Sequence, residues 1–131
     1  DIRWRQRRQN FNKVLDYLAQ ALAIPQPDIV QRAGIIQLFE MAFELGWKML
    51  KDYLEEQGFT GLNSPRAALK QAFEAELIAN GHDWLQILRD RNLMSHIYDE
   101  ATAVAVENLI RHTYYPLLHA LRQTMTERDH A

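Results

Sequence analysis

The sequence predicts an all-α protein, an up-and-down bundle of four or five helices. Apolar residues recur at spacings of three and four along most of the chain, as they do on one face of a helix. Only five glycines and four prolines occur among 131 residues, too few for the turns that many short strands require. The apolar fraction of 47% is that of an ordinary globular domain. Since no repeat or linker interrupts the chain, we expect one domain over residues 1–131.

The first two predicted helices are long and are separated by two prolines. The first is expected over residues 2–23, with an apolar stripe at helical spacing. Asp28 is a suitable N-cap for the second, because its carboxylate can accept hydrogen bonds from the unpaired N–H groups of a first turn. The second helix is expected to reach about residue 57, where Gly58 provides a C-terminal stop.

The third and fourth predicted helices are shorter. Ser64 followed by proline is a favourable helix start, since the serine hydroxyl caps and a proline in the first turn loses no needed N–H. The third helix is expected over residues 65–78, ending before an Asn-Gly pair. The fourth is expected to begin near His82 or Asp83 and to run through Met94.

The last predicted helix begins after Asp99, whose side chain can cap it, with Glu100 in its first turn favouring the helix dipole. Pro116 lies inside this helix and is expected to kink it, because proline has no N–H to donate to the preceding turn. Its buried face is expected to contain Val104, Leu109, Ile110, Tyr114, Leu117, Leu118 and Leu121.

Positive charge is concentrated at the beginning of the chain. Five cations against Asp1 give residues 1–13 a charge of +4, so that with a net charge of −2 the remaining chain carries −6. These cations are Arg3, Arg5, Arg7, Arg8 and Lys13. The four arginines are candidate RNA-binding residues, since a local basic patch can hold a phosphate backbone even on an acidic protein. A solvated helix face explains the same pattern equally well.

Composition also bears on cofactors and location. The chain has no cysteine, which excludes disulfides and thiolate metal ligands and is typical of a cytoplasmic protein. No apolar run is long enough for a membrane span, and no signal-like segment stands at the start, which is Asp1. Neither a glycine-rich phosphate loop nor paired Glu-x-x-His motifs occur, so we expect no cofactor and no metal.

Arg91 and His96 are the residues best suited to chemistry on RNA. Five residues of an ideal helix turn through about 140°, so the two share a face only if the helix ends between them. His96 comes shortly before the Asp99 cap, where a break would let its ring fold back toward Arg91. The imidazole could then take a proton from a ribose 2′-OH while the guanidinium stabilises charge on the phosphate. The spacing alone is a weak signal, because both residues also suit a helix C-terminus.

A resemblance to a known family extends over nearly the whole chain. Within residues 84–100, Arg91 is followed after four residues by His96 and after one more by Tyr98, and this stretch resembles the signature of HEPN proteins. It is most similar to the branch known as nucleotidyltransferase substrate-binding proteins, or HepT-like proteins. The further matches are Arg3-Trp4-Arg5-Gln6-Arg7 with Asn10-Phe11, Phe39-Glu40 with Glu44-Leu45 and Trp47-Lys48, and Ser64-Pro65-Arg66.

The resemblance implies a HEPN-like bundle that forms homodimers, with the motifs of both protomers in a shared cleft. It implies the toxin of a type VII-like toxin–antitoxin pair, a metal-independent endoribonuclease with Arg91 and His96 as catalytic residues. The partner is implied to be a minimal nucleotidyltransferase that acts as antitoxin by transferring AMP to Tyr98. Phosphates added beside Arg91 would occupy the site of the RNA phosphate. Asn92 is expected to orient a phosphate or the catalytic pair.

Two further carboxylates and a second function stay open. Glu40 and Glu44 flank the apolar stripe of the second helix, where a solvated flank with a Glu44–Lys48 pair is the simpler interpretation. The resemblance also allows either carboxylate to pair with Arg91 and orient it. The alternative to a ribonuclease toxin is a non-catalytic subunit that presents a substrate to the nucleotidyltransferase. A scaffold without chemistry fits composition and periodicity equally well.

Overall fold

The computed structural model describes residues 2–130, and its elements are helices joined by short connections. A 3₁₀ segment (Arg91–His96) follows the fourth α-helix, and a π-helical segment (Ile110–Tyr114) joins the fifth and sixth α-helices into one continuous rod. No strand occurs within residues 2–130, and the predicted all-α fold is confirmed. The α-helices are α1 (Ile2–Leu22), α2 (Ile29–Glu56), α3 (Pro65–Glu74), α4 (Gly81–Asp90), α5 (Glu100–Leu109) and α6 (Tyr115–Asp129).

Side-chain caps begin α2 and α3 where the sequence predicts them. The Asp28 carboxylate accepts a hydrogen bond from the Gln31 N–H at 2.8 Å, and the Gln31 side chain accepts one from the Asp28 N–H at 2.9 Å, which forms a capping box. The Ser64 hydroxyl accepts a hydrogen bond from the Ala67 N–H at 3.1 Å. Gly58 follows α2 with a φ of +100°, a conformation that glycine adopts without strain. Short-range polar signals thus set these helix ends.

The third helix is shorter than predicted, because it ends at Glu74 rather than at residue 78. Glu76 takes a left-handed conformation with a φ of +61°, and the Leu77 N–H turns back to the Ala72 carbonyl at 2.9 Å. This turn directs Leu77 and Ile78 into the core, where they are buried. Burial of two apolar side chains offsets the cost of a non-glycine residue in that conformation. The next helix begins at Gly81, slightly earlier than predicted.

The last rod begins at the predicted cap. Asp99 accepts hydrogen bonds from the Thr102 N–H at 3.1 Å and from its hydroxyl at 2.7 Å, and these bonds hold the pKa of the Asp99 carboxyl below its usual value. A π-helical turn precedes Pro116 and accommodates a residue that cannot donate to the preceding turn, while the predicted kink stays a prediction. Val104 was predicted on the buried face but is 36% exposed. The buried stripe passes through its neighbours Ala103 and Val106 instead.

The core lies where α1 and the α5–α6 rod pack against α2, which also contacts α3. Four aromatic rings lie in series in the core. The ring centroids of Tyr114 and Phe39 are 5.5 Å apart, those of Phe39 and Phe43 6.3 Å, and those of Phe43 and Trp84 6.4 Å. All four side chains are fully buried. We call these rings the aromatic column. Within residues 2–130 no helix is both long and apolar enough to cross a membrane.

Candidate functional site

The motif residues lie where α4 passes into the 3₁₀ segment. The α-helical conformation ends at Asp90, earlier than the break expected between His96 and Asp99. A 3₁₀ helix has three residues per turn and rises about 2.0 Å per residue, so Arg91 and His96 are separated by roughly 10 Å along its axis and lie on different faces. No hydrogen bond joins their side chains in the described chain. The described chain thus shows no direct contact between Arg91 and His96, and their convergence stays a prediction.

Arg91 is held by α2. Its Nη2 donates a hydrogen bond to Glu44 Oε1 at 2.7 Å, and its guanidinium carbon lies 5.5 Å from the centre of the Phe43 ring. The second carboxylate oxygen of Glu44 accepts a hydrogen bond from the indole N–H of Trp47 at 3.2 Å and lies 3.6 Å from Lys48 Nζ. The Arg91 side chain is 37% exposed, and its Nε and Nη1 donate no hydrogen bond within residues 2–130. Glu44 thus fixes a cation that still has donors for an anion.

Glu40 lies one turn before Glu44 on α2 and is half-buried. Burial raises the pKa of the Glu40 carboxyl, and the charge of Glu44 adds to this effect while the cation of Arg91 opposes it. Glu40 is thus within electrostatic reach of the site, whereas the direct ion pair to Arg91 comes from Glu44.

A buried tyrosine anchors the end of α4. The Tyr114 hydroxyl donates a hydrogen bond to Asp90 Oδ2, and the Gln86 amide donates to Oδ1 at 3.0 Å. Burial and the adjacent Asp90 carboxylate raise the pKa of Tyr114 far above that of an ordinary phenol, so the hydroxyl stays a donor. Sequence reasoning placed Tyr114 only on the buried face. Its hydroxyl was the one feature of the sequence that pointed to this role, because the hydroxyl of a buried tyrosine needs a hydrogen-bond partner.

His96 and Tyr98 form the exposed end of the motif. The distance from His96 Nδ1 to the Tyr98 hydroxyl oxygen is 3.2 Å, and the two rings meet edge to face with centroids 5.8 Å apart. Tyr98 is 81% exposed, and His96 is exposed as well. Asn92, the other residue singled out here, is also exposed. This end of the motif therefore presents an imidazole and a phenol to solvent.

The arginines of α1 have carboxylate partners inside the molecule. Arg7 contacts Asp52 of α2, which is only 4% exposed, with an Nε to Oδ2 distance of 2.5 Å. Arg5 contacts Asp129 at the end of α6, with an Nε to Oδ1 distance of 2.6 Å. These pairs join the start of α1 to two other helices, and an RNA-binding role for the cluster stays a prediction. Longer ion pairs are Arg3–Asp52 at 3.9 Å and Arg8–Asp129 at 3.4 Å.

This chain is similar to known proteins over most of its length. The family described as "Nucleotidyltransferase substrate binding protein like" matches residues 6–127. A Haemophilus influenzae protein named "Probable ribonuclease HepT" is 36% identical over 110 residues, which cover 75% of this chain and 74% of the relative.

Two solved structures share the fold. A protein from Thermus thermophilus matches with a TM-score of 0.74 and 30% identity, covering 90% of this chain and 97% of that one. HI0074 from Haemophilus influenzae matches with a TM-score of 0.76 and 27% identity, covering 91% and 98%, and its structure is described as the fold of a substrate binding domain of a nucleotidyltransferase. With the fold, the motif and these matches in agreement, the chain belongs to the nucleotidyltransferase substrate-binding protein family, the HepT-like branch that its sequence resembles.

Proposed function

We propose that this protein is a metal-independent endoribonuclease that acts as a homodimer, the toxin of a type VII-like toxin–antitoxin pair. The observation that carries the proposal is the motif geometry: Glu44 fixes Arg91 with part of its guanidinium open, and the exposed His96 ends the same 3₁₀ segment. The relative named "Probable ribonuclease HepT" supports the same activity. RNA as the substrate implies a cytoplasmic protein.

The reaction uses the ribose 2′-OH as nucleophile. His96 takes the 2′-OH proton as O2′ attacks the adjacent phosphorus, and the bond from phosphorus to O5′ breaks. The products are a 2′,3′-cyclic phosphate and a 5′-OH, whose proton returns from an imidazolium. Arg91 stabilises the negative charge that builds on the phosphate oxygens. In this scheme Glu44 positions Arg91, Glu40 adds to the local field, and Asn92 is available to orient the phosphate.

The proposed homodimer brings together catalytic groups from two protomers around one RNA phosphate. Because Arg91 and His96 lie at opposite ends of the 3₁₀ segment, a second copy across the motif is needed to bring two cations and two imidazoles around one phosphate. The motif surface suits such a contact, since the apolar Leu93 is 38% exposed between the two residues. The proposed RNA-binding surface also includes the arginines of α1, because they form a local concentration of positive charge.

The proposed regulator is a minimal nucleotidyltransferase that transfers AMP from ATP to the Tyr98 hydroxyl. The family description supports a nucleotidyltransferase partner. Tyr98 is a suitable acceptor because its side chain is 81% exposed and its hydroxyl lies 3.2 Å from His96. An ester at this oxygen places an anionic phosphate against the proposed base and excludes the RNA phosphate.

A second candidate function is a non-catalytic subunit that presents a substrate to the nucleotidyltransferase. It is favoured by the description of HI0074, which assigns that fold to a substrate binding domain. Under this function the exposed motif is a binding surface, and the chain itself cleaves nothing.

The two functions differ in one measurement. Purified protein is incubated with RNA and excess chelator, and wild type is compared with His96→Ala. The ribonuclease proposal predicts cleavage that resists the chelator and is lost in the variant. His119→Ala is a matched control, since His119 is an exposed histidine on α6, outside the motif. Intact RNA after incubation with unmodified wild-type protein would refute the ribonuclease and leave the presenting subunit.

A further inference from the structure

The contact between His96 and Tyr98 is set by the backbone. The Asp99 N–H donates to the His96 carbonyl at 3.1 Å, which closes a turn that contains both His96 and Tyr98. Ile97, between them, packs against the core, and Asp99 is fixed as the cap of α5. Within this turn the distance from His96 Nδ1 to the Tyr98 oxygen is 3.2 Å, which is hydrogen-bond distance.

The same turn leaves the two reactive groups accessible. Tyr98 is the most exposed large aromatic side chain in the described chain, at 81%, so a second protein can reach its oxygen without unfolding the turn. The imidazole has two nitrogens, and this contact uses only Nδ1. The phenol must lose its proton when its oxygen attacks a phosphorus, and a base at hydrogen-bond distance can accept that proton.

We infer that His96 is the general base for modification of its own neighbour, so that one imidazole serves both RNA cleavage and the nucleotidyl transfer that silences it. This inference rests on the proposed function, since it takes Tyr98 as the AMP acceptor. In the step, the Tyr98 oxygen attacks the α-phosphorus of ATP, and its proton passes to His96 Nδ1. The bond between the α-phosphorus and the bridging oxygen breaks, and pyrophosphate leaves. The products are an AMP ester of Tyr98 and an imidazolium that returns its proton to water.

By this inference, the same residue determines whether a protomer can cleave RNA and whether it can be modified at Tyr98. A protomer whose His96 is missing or misplaced cannot cleave RNA, and by this inference it is also a poor acceptor of AMP. A protomer with His96 in place is both active and readily modified. After the transfer, the esterified oxygen has no proton to donate, and the new phosphodiester lies beside Nδ1. The base thereby installs the group that blocks it.

The experiment uses the full chain, its partner nucleotidyltransferase and ATP labelled at the α-phosphate. Initial rates of label incorporation are measured for wild type, His96→Ala and His119→Ala. His119 is the matched control because it is also an exposed histidine stacked on a tyrosine, Tyr115, with centroids 6.1 Å apart. We expect kcat for His96→Ala to fall on the order of 10²-fold with KM for the chain unchanged. His119→Ala is expected to stay within about twofold of wild type. Added imidazole should restore part of the rate of His96→Ala.

The outcomes separate this inference from the proposed function. Wild type and His96→Ala labelled at equal rates would overturn the inference and leave Tyr98 as the acceptor. A loss expressed only in KM and unaffected by imidazole would also overturn it, since His96 would then serve partner docking. Absence of label on wild type, or label that survives Tyr98→Phe, would refute the proposed modification of Tyr98, and the inference would fall with it.

Discussion

Tyr114→Phe tests the support under the candidate site with a single-atom change. The substitution keeps the buried ring and its place in the aromatic column, and it removes only the hydroxyl that donates to Asp90. A hydrogen bond to a charged group contributes about 1.5–3 kcal/mol. Gln86 still serves the other oxygen of Asp90, so we expect a loss of about 2 kcal/mol in the free energy of unfolding.

The corresponding change in Tm follows from chain length. For 131 residues the entropy of unfolding is about 0.28 kcal/mol per kelvin, so a loss of about 2 kcal/mol lowers Tm by about 7 °C. Urea unfolding followed by circular dichroism measures the free energy, and calorimetry measures Tm. Tyr115→Phe is the control, because Tyr115 is half-buried beside it and its hydroxyl makes no hydrogen bond within residues 2–130. Equal effects of the two substitutions, both below about 0.5 kcal/mol, would refute the anchoring role of Tyr114.

Two further predictions concern carboxylates. Glu44→Gln should reduce kcat for the proposed RNA cleavage by about tenfold to hundredfold, because Arg91 loses the anion that orients it. The free energy of unfolding should change by under about 1 kcal/mol, since both side chains of the pair are over one-third exposed. An unchanged kcat would contradict the positioning role of Glu44. Burial raises the pKa of Glu107, but hydrogen bonds from Arg32 and Arg111 outweigh it and hold the pKa below its ordinary value of 4.5. The group therefore contributes stability above pH 4.5 that is lost as pH falls through the lower folded-state value. Glu107→Gln should lower the free energy of unfolding by about 1.5–3 kcal/mol in urea at neutral pH, because the hydrogen bonds from Arg32 and Arg111 lose their charged acceptor. A deficit that persists in acid would refute this assignment.

Sequence reasoning succeeded where the determining interactions are local. The caps at Asp28, Ser64 and Asp99 each join a side chain to a backbone N–H three residues away, so the pattern of a few residues is sufficient to predict them. The third helix shows the limit of this approach. Its end is determined by burial of Leu77 and Ile78 against distant residues, and no glycine marks the turn.

The site shows the same division between local and distant contacts. Arg91, His96 and Tyr98 are recognisable from their spacing and from the family resemblance. The partners that hold this part of the motif are distant in sequence. Glu44, which pairs with Arg91, lies 47 residues from it, and Tyr114, which binds Asp90, lies 24 residues from it. Such pairs depend on how helices pack, and a single sequence carries no signal that selects Glu44 over its neighbour Glu40.

The two ends of the motif belong to regions of unequal local stability. Arg91 rests on Phe43 and follows the anchored Asp90, so its surroundings open only when the core opens. In the turn that carries His96 and Tyr98 both of these side chains are exposed, and the apolar supports are the buried Met94 and the partly buried Ile97. Amide hydrogen exchange should therefore be slow through α4 and fast at residues 95–99. Local opening of this turn separates the His96 imidazole and the Tyr98 phenol while the Arg91 guanidinium stays in place. This turn is therefore the part of the motif whose conformation a binding partner can fix.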